Sequence, residues 1–483
     1  MTKNVWVCLG LLALGLVGIG APASRAQGLA VGEAGGGSET TTISATSLTN
    51  TAAESSAAGL RRRIHALEAD YSGVNTEISA VTDSETPAST DIPSQDQGSS
   101  APAPAQAPAA APAAAPAAAA PAALPTPSMS GPLATAVPHE IPAGPFGKIE
   151  ITGILSGIGD AIGNRVATGD SLAHADVSNA QVFVQKTTGW FQFFLQAGAY
   201  NIPVLGVPFA QDGPTISNLY GAFPQGYLKL VKGNFNIEVG ALPTLVGDEY
   251  TFTFENMNIE RGLLWNQETA VSRGVQLNEV YKKLTLAFSV NDGYYSNRYT
   301  TLSGSLAYAI NATNTLTFVG QGNAGSNVKN TVATPLLQNN SMIYNLIYTY
   351  TKGNWIISPY YQYNAVKRNA AIGIGAGSHT NGGAVLFDYA FKHGFSLALR
   401  PEYIRSASGN LSDPTSNLLG FGPATGAFSF TATPMWVKDG FFIRGDISVV
   451  HVTNFNTGTS FAFGPTGTNL NQVRGVIETG FMF

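Results

Sequence analysis

Two hydrophobic rhythms divide the chain. Over residues 147–483 apolar side chains recur at every second position. Leu284, Leu286, Phe288 and Val290 alternate with Thr285, Ala287, Ser289 and Asn291. Leu302, Leu306, Tyr308 and Ile310 alternate with Ser303, Ser305, Ala307 and Ala309. Val473, Ile477 and Phe481 alternate with Arg474, Val476 and Glu478. Successive side chains of a strand point to opposite faces, so one face is apolar and aromatic and the other small, polar or charged. Sixteen such segments can be marked off, from 147–158 to 471–483, the fourth of them spanning 219–231. The links between them alternate in length. Short ones include Gly189, Lys232-Gly233, Ala312-Thr313, Lys352-Gly353 and Asp439. This pattern predicts an all-β fold: a 16-stranded antiparallel transmembrane β-barrel with short periplasmic turns and long external loops. An even strand count puts both barrel termini on the periplasmic side.

The second rhythm lies upstream. Leu60, Ile64, Leu67, Tyr71, Val74 and Ile78 are spaced 4, 3, 4, 3, 4, a heptad seam. It predicts a short coiled-coil helix over 60–82, too short to be stable unless it self-associates. Residues 27–59 read as disordered. A Pro/Ala-rich linker follows over 83–146; residues 101–127 hold 8 Pro and 16 Ala, which favours an extended, solvated tether. At the start, Lys3, an apolar run over 5–20 and the small residues Ser24 and Ala26 read as a signal peptide over 1–26. Cys8, the one cysteine, falls inside it, so the mature chain would have no thiol chemistry.

Composition narrows the class. Charged residues are 11 % of the chain, against roughly 25 % in an ordinary soluble domain. With pI near 5.7 and no basic stripe, nucleic-acid binding is not expected. The chain finishes on Gly480-Phe-Met-Phe483, an amphipathic strand with a terminal aromatic. This resembles the signal that barrel-assembly machinery reads, which makes Phe483 the contact to that machinery. Trp190, Trp355, Trp436, Tyr350 and Phe441 fall beside short turns, as interfacial girdle residues do.

Longer motifs carry a family resemblance. Ala199-Tyr-Asn-Ile-Pro203, Val239-Gly-Ala-Leu-Pro-Thr244, Arg261-Gly-Leu-Leu-Trp-Asn-Gln267, Ser272-Arg-Gly-Val-Gln276 and Asn291-Asp-Gly-Tyr-Tyr-Ser296 stand among them. Together they resemble the putative β-barrel porin-2 (OmpL-like) family of Gram-negative outer-membrane proteins, over residues 147–483. The resemblance implies a porin-like barrel surrounded by outer-membrane lipid, and a homotrimer. It brings no catalytic residues.

Enzyme chemistry is not expected. No His of the six pairs with another at metal-ligand spacing or accompanies a nucleophile motif, and no cofactor motif stands in strand-to-helix context. The informative segment is the third external loop, residues 243–270. It carries Asp248, Glu249, Glu255, Glu260 and Glu268 against a single Arg261, with Tyr250, Phe252, Phe254 and Trp265. A long aromatic loop has reason to pack inside, where it would narrow the lumen. On the wall, alternation turns Arg400, Glu402, Arg444, Asp446, Arg474, Glu478, Glu150 and Lys229 inward, since a charge facing lipid at mid-membrane costs about 2–4 kcal/mol. The three arginines opposite an acidic loop would set a field across the constriction. The bland alternative is neutralisation of each Arg by the acid near it on the same strand face. Arg273 and Glu279 fall in the outward phase.

The reading is an outer-membrane porin that passes small hydrophilic solutes passively. The alternative is a structural anchor whose periplasmic extension grips peptidoglycan or a partner. An open lumen favours the first, a plugged one the second.

Overall fold

The computed structural model describes residues 133, 137–166, 170–408 and 417–483. The signal peptide, the heptad helix and the Pro/Ala-rich run of 101–127 lie outside the described residues.

A short strand, β1 (His139–Pro142), precedes the barrel. The wall then runs β2 (Lys148–Gly163), β3 (Ala173–Lys186), β4 (Phe191–Tyr200), β5 (Gln225–Lys232), β6 (Phe235–Pro243), β7 (Val271–Tyr281), β8 (Leu284–Asn291) and β9 (Thr301–Asn311). It continues with β10 (Asn314–Asn323), β11 (Ser341–Lys352), β12 (Trp355–Val366), β13 (Ser378–Ala390), β14 (Phe395–Ser408), β15 (Gly426–Lys438), β16 (Phe441–Thr453) and β17 (Asn471–Met482). Each strand from β2 to β17 pairs antiparallel with its chain neighbours. The cylinder closes where β17 pairs with β2, from Val473 opposite Gly163 to Met482 opposite Ile154. The expected sixteen wall strands are all present.

The alternation works as the residues require. Leu302, Leu306, Tyr308 and Ile310 are exposed on the outside of β9, while Ser303 and Ser305 face in. The tight turns use backbone that hairpins need. Asp439 and Gly440 have φ of 53° and 83°, the paired positive values of a type I′ turn. The girdle is laid out along that rim: the Trp355 and Tyr389 rings meet at a tilt with centroids 4.3 Å apart, and Trp436 lies 6.2 Å from Phe441.

Two local departures from the sequence reading have plain causes, and the outward Arg273 finds its partners. Residues 219–224 were expected to begin a strand. They instead follow a short helix, α1 (Asp212–Asn218), and Tyr200 donates from its hydroxyl to Gly221 O at 3.0 Å, holding the segment in the loop. Arg273, in the outward phase, sits at the loop end of β7. It pairs with Asp292 at 2.7 Å and lies 3.8 Å over the Tyr295 ring. Finally, the end of the expected linker is structured: β1 pairs with the start of β2, His139 opposite Ile151 and Pro142 opposite Lys148.

Candidate functional site

The third long loop, residues 244–270, lies against the inner wall of the cylinder. Two short 3-10 turns, Thr253–Glu255 and Trp265–Gln267, give it compactness. Its five acidic residues and Arg261 are all buried. So are the inward side chains Arg400 and Glu402 of β14, Arg444 and Asp446 of β16, and Arg474 and Glu478 of β17.

The three wall arginines each reach a carboxylate, none of them the near acid on its own strand. Arg400 pairs with Glu249 of the loop and also donates to Glu260 O at 2.7 Å. Arg444 pairs with Glu478 across the β16–β17 ladder at 2.7 Å and donates to Asn256 O at 3.0 Å. Arg474 pairs with Glu260 at 3.1 Å and donates to Val204 O at 3.1 Å. Same-strand neutralisation is therefore corrected: loop acids take the place of the near partner at Arg400 and Arg474, and a wall acid of the adjacent strand does so at Arg444. The near acids are used otherwise. Glu402 accepts the Leu263 and Leu264 N–H groups at 2.8 and 2.7 Å. Asp446 accepts the Glu260 N–H at 2.8 Å. Glu478 also accepts from Thr253 Oγ1 at 2.7 Å. Charged hydrogen bonds to backbone donors are stronger than neutral ones, so the loop is fixed by its main chain as well as its side chains.

On the other flank of the loop the bonds are mostly neutral. Thr269 donates to Gln321 at 3.1 Å, Gln362 to Leu264 O at 3.0 Å and Asn345 accepts from Gly247 N at 3.1 Å. Ser358 donates to the Asp248 carboxylate.

Burial raises the proton affinity of several of the loop acids. Eight carboxylates (Asp248, Glu249, Glu255, Glu260, Glu268, Glu402, Asp446, Glu478) face four guanidiniums (Arg261, Arg400, Arg444, Arg474). Within the loop, burial pushes Asp248 up to about 7, helped by the Glu249 charge. Burial pushes Glu255 up to about 7. It takes Glu268 well above the usual carboxylate range, with Glu249, Asp248 and Glu402 adding repulsion. Arg261 has no hydrogen-bond partner for its guanidinium among the described residues, and burial lowers it to about 10.

A second loop helps to hold the third. The N–H of Leu205 donates to Arg261 O at 3.0 Å, and that of Arg261 to Pro203 O at 2.9 Å. Leu205, Leu263, Phe421 and Phe463 form one buried apolar cluster at the loop end. At the turn end, Leu133 belongs to a buried cluster that includes Ile154, Met435, Phe442 and Met482. Alternation could flag Glu402 and Asp446 as inward; nothing local in the sequence marks Leu133 or the 203–205 segment. Glu150, also inward, accepts from Thr187 at 2.8 Å, and Lys229 pairs with Glu238 at 3.0 Å. Among the described residues no group of acids, histidines and cysteines has the arrangement of a metal site.

Comparison with known proteins fits this architecture. The model of the family described as "Putative beta-barrel porin-2, OmpL-like" matches residues 148–483. No curated protein matches. Among solved structures, the anion-selective porin from Comamonas acidovorans aligns with a TM-score of 0.48 at 12 % identity, covering 69 % of this chain and 99 % of its own. In-vitro folded OmpT of Vibrio cholerae aligns at 0.46 and 10 %, covering 71 % and 100 %. Salmonella typhi OmpF, in complex with daunomycin, aligns at 0.45 and 14 %, again covering 71 % and 100 %. The match of the family model over the whole barrel makes this chain a member of the putative β-barrel porin-2, OmpL-like family of outer-membrane barrels.

Proposed function

We propose that the protein is an outer-membrane porin for passive diffusion of small hydrophilic solutes, its lumen narrowed by the third loop. The short turns face the periplasm and the long loops the outside, following the usual asymmetry of such barrels. The observation that carries the reading is the course of residues 244–270 along the inner wall, bonded to β14, β16 and β17. Sixteen strands leave room for an aqueous channel beside such a loop. The charges Asp248, Glu249, Glu255, Glu260, Glu268, Arg400, Arg444, Arg474 and Glu478 serve chiefly to fix the loop that shapes the channel. The test is conductance of purified protein in a planar bilayer. Discrete steps with a defined reversal potential in a salt gradient are expected; inserted protein without conductance would reject a porin.

A second reading has its own support. The loop-end half of the lumen is densely filled, as an anchor that need not conduct would be. In that case the N-terminal extension, on the periplasmic side, would oligomerise through residues 60–78 beneath a trimeric barrel and reach toward peptidoglycan. Replacing Ile64, Leu67 and Val74 with Ser should then abolish cross-links between extensions in intact cells. Unchanged cross-links would reject the coiled coil.

A further inference from the structure

The described inner wall is unevenly covered. On β12–β17 the inward side chains above the turn-end rim are buried beneath the loop. On β8–β11 the turn-end half stays open: Thr285 is exposed, and Ser305, Ala307, Thr317 and Thr349 are half-buried. There a cavity of about 310 Å³ is lined by Asp248, Ser305, Thr317, Thr349 and Ser358, interleaved with the apolar Val319, Ile347 and Ile356. It carries hydroxyls from four strands, β9 to β12, and from the edge of the loop. Asp248 is its one ionisable carboxylate. Of the other inward charges, Lys229 and Glu238 neutralise each other, and Asp388 of β13 stands opposite Ile356 at the turn end.

The two sides of the loop are also held differently. Toward β14, β16 and β17 the anchors are buried ion pairs and carboxylates on backbone N–H groups. Toward β10 the anchor is the neutral bond Thr269 to Gln321 at 3.1 Å, and Gln321 also accepts from Ser303 of the neighbouring wall strand at 2.9 Å. Neutral bonds are the weaker kind and are easily replaced by water. Any opening of the lumen therefore costs least on the β9–β10 side.

We infer that the permeation path is eccentric: it runs along the hydroxyl-bearing wall of β8–β11, passes Asp248 at the edge of the loop, and leaves Arg400, Arg444 and Arg474 off the route as anchors of the loop. The substrates that suit it are cations and uncharged polyhydroxyl solutes rather than anions. This rests on the porin reading and goes beyond it, because it relocates the charges that a solute meets.

The test uses the full chain with Cys8→Ser, which removes the one native thiol. Single cysteines at Thr317 or Ser305 on the path, and at Ser448 under the loop, are treated with a cationic methanethiosulfonate reagent from the turn side. Expected are rapid modification at 317 and 305, read by mass, with at least a twofold drop in conductance, and neither at 448. Asp248→Asn should shift the reversal potential toward anions, while Arg474→Gln leaves its sign unchanged. Modification at 448 but not at 317 and 305 would overturn the inference, as would conductance that ignores all three labels. Absence of any wild-type conductance would be a failure of the porin reading instead. The mass readout would then still decide: labelling at 448 as fast as at 317 rejects the uneven wall.

Discussion

The ring of Phe483 lies over Gly153, and the two residues exchange both backbone hydrogen bonds: Gly153 N–H to Phe483 O at 2.6 Å and Phe483 N–H to Gly153 O at 3.0 Å. A Cβ at 153 would come 2.5 Å from the ring's Cζ. The last residue of the chain thus completes the closing seam, and glycine at 153 is what lets its ring lie flat there. Gly153→Val should displace that ring and cost about 1–3 kcal/mol, as overpacking does. The measurement is the temperature at which the folded barrel loses its compact gel mobility in detergent. A variant indistinguishable from wild type would show that the ring contributes nothing to the seam.

Arg400 and Glu249 are both fully buried, so removing one charge strands the other. Glu249→Gln should destabilise the folded barrel by about 3–5 kcal/mol, the scale for an orphaned buried partner. The pair replaced together by Met and Leu should recover most of that loss. Guanidinium titration of the two variants separates the cases; equal losses in single and double variants would mean that no coupling exists.

Proton binding should tighten the loop. Asp248, facing Glu249, Glu268 and Ser358, and Glu255, beside the Phe252 N–H and Arg261, both have folded-state values raised to about 7. A carboxyl with a raised value binds more protons folded than unfolded, so the stability it lends is full below the ordinary carboxylate range and is lost as pH rises through about 7. Hydrogen exchange of residues 244–270 should therefore quicken between pH 5 and pH 8 beyond the intrinsic rate change. Protection that follows the intrinsic rate alone would contradict this.

Leu133 packs with Ile154, Met435, Phe442 and Met482 although it lies before β1. Leu133→Asp should expose the chain ahead of residue 139 to protease without altering the barrel core. Full burial of a Leu is worth about 1.5–3 kcal/mol, enough for a tenfold change in cleavage rate. An unaltered nicking rate would show that the contact does not hold this segment.

Much of this architecture could be read from residues alone, because a barrel wall obeys a period of two. Arg400, Arg444 and Arg474 follow that phase inward, where a lipid-facing charge would be costly. The partners could not be read so. Arg400 meets Glu249, 151 positions away, and nothing local encodes that separation. The acids two residues along the strand looked adequate, yet they are claimed by backbone N–H groups of a loop whose path depends on the whole cylinder. Residues 219–224 misled for the opposite reason. They run straight into the strand that begins at Gln225, but α1 and the Tyr200 bond to Gly221 keep them out of the ladder.

β2 begins before its partner β17 has ended its reach: Lys148–Ile151 extend past Phe483, and β1 covers them. Closed barrels are said to have no free edge, but this one overhangs its own seam by a few residues, and unpaired edges recruit foreign strands. The segment around 139–142 thus works as a built-in guard against sticking. Shortened versions that start at 147 would expose that ledge and should cluster in detergent through it, whereas versions starting a dozen residues earlier would stay dispersed.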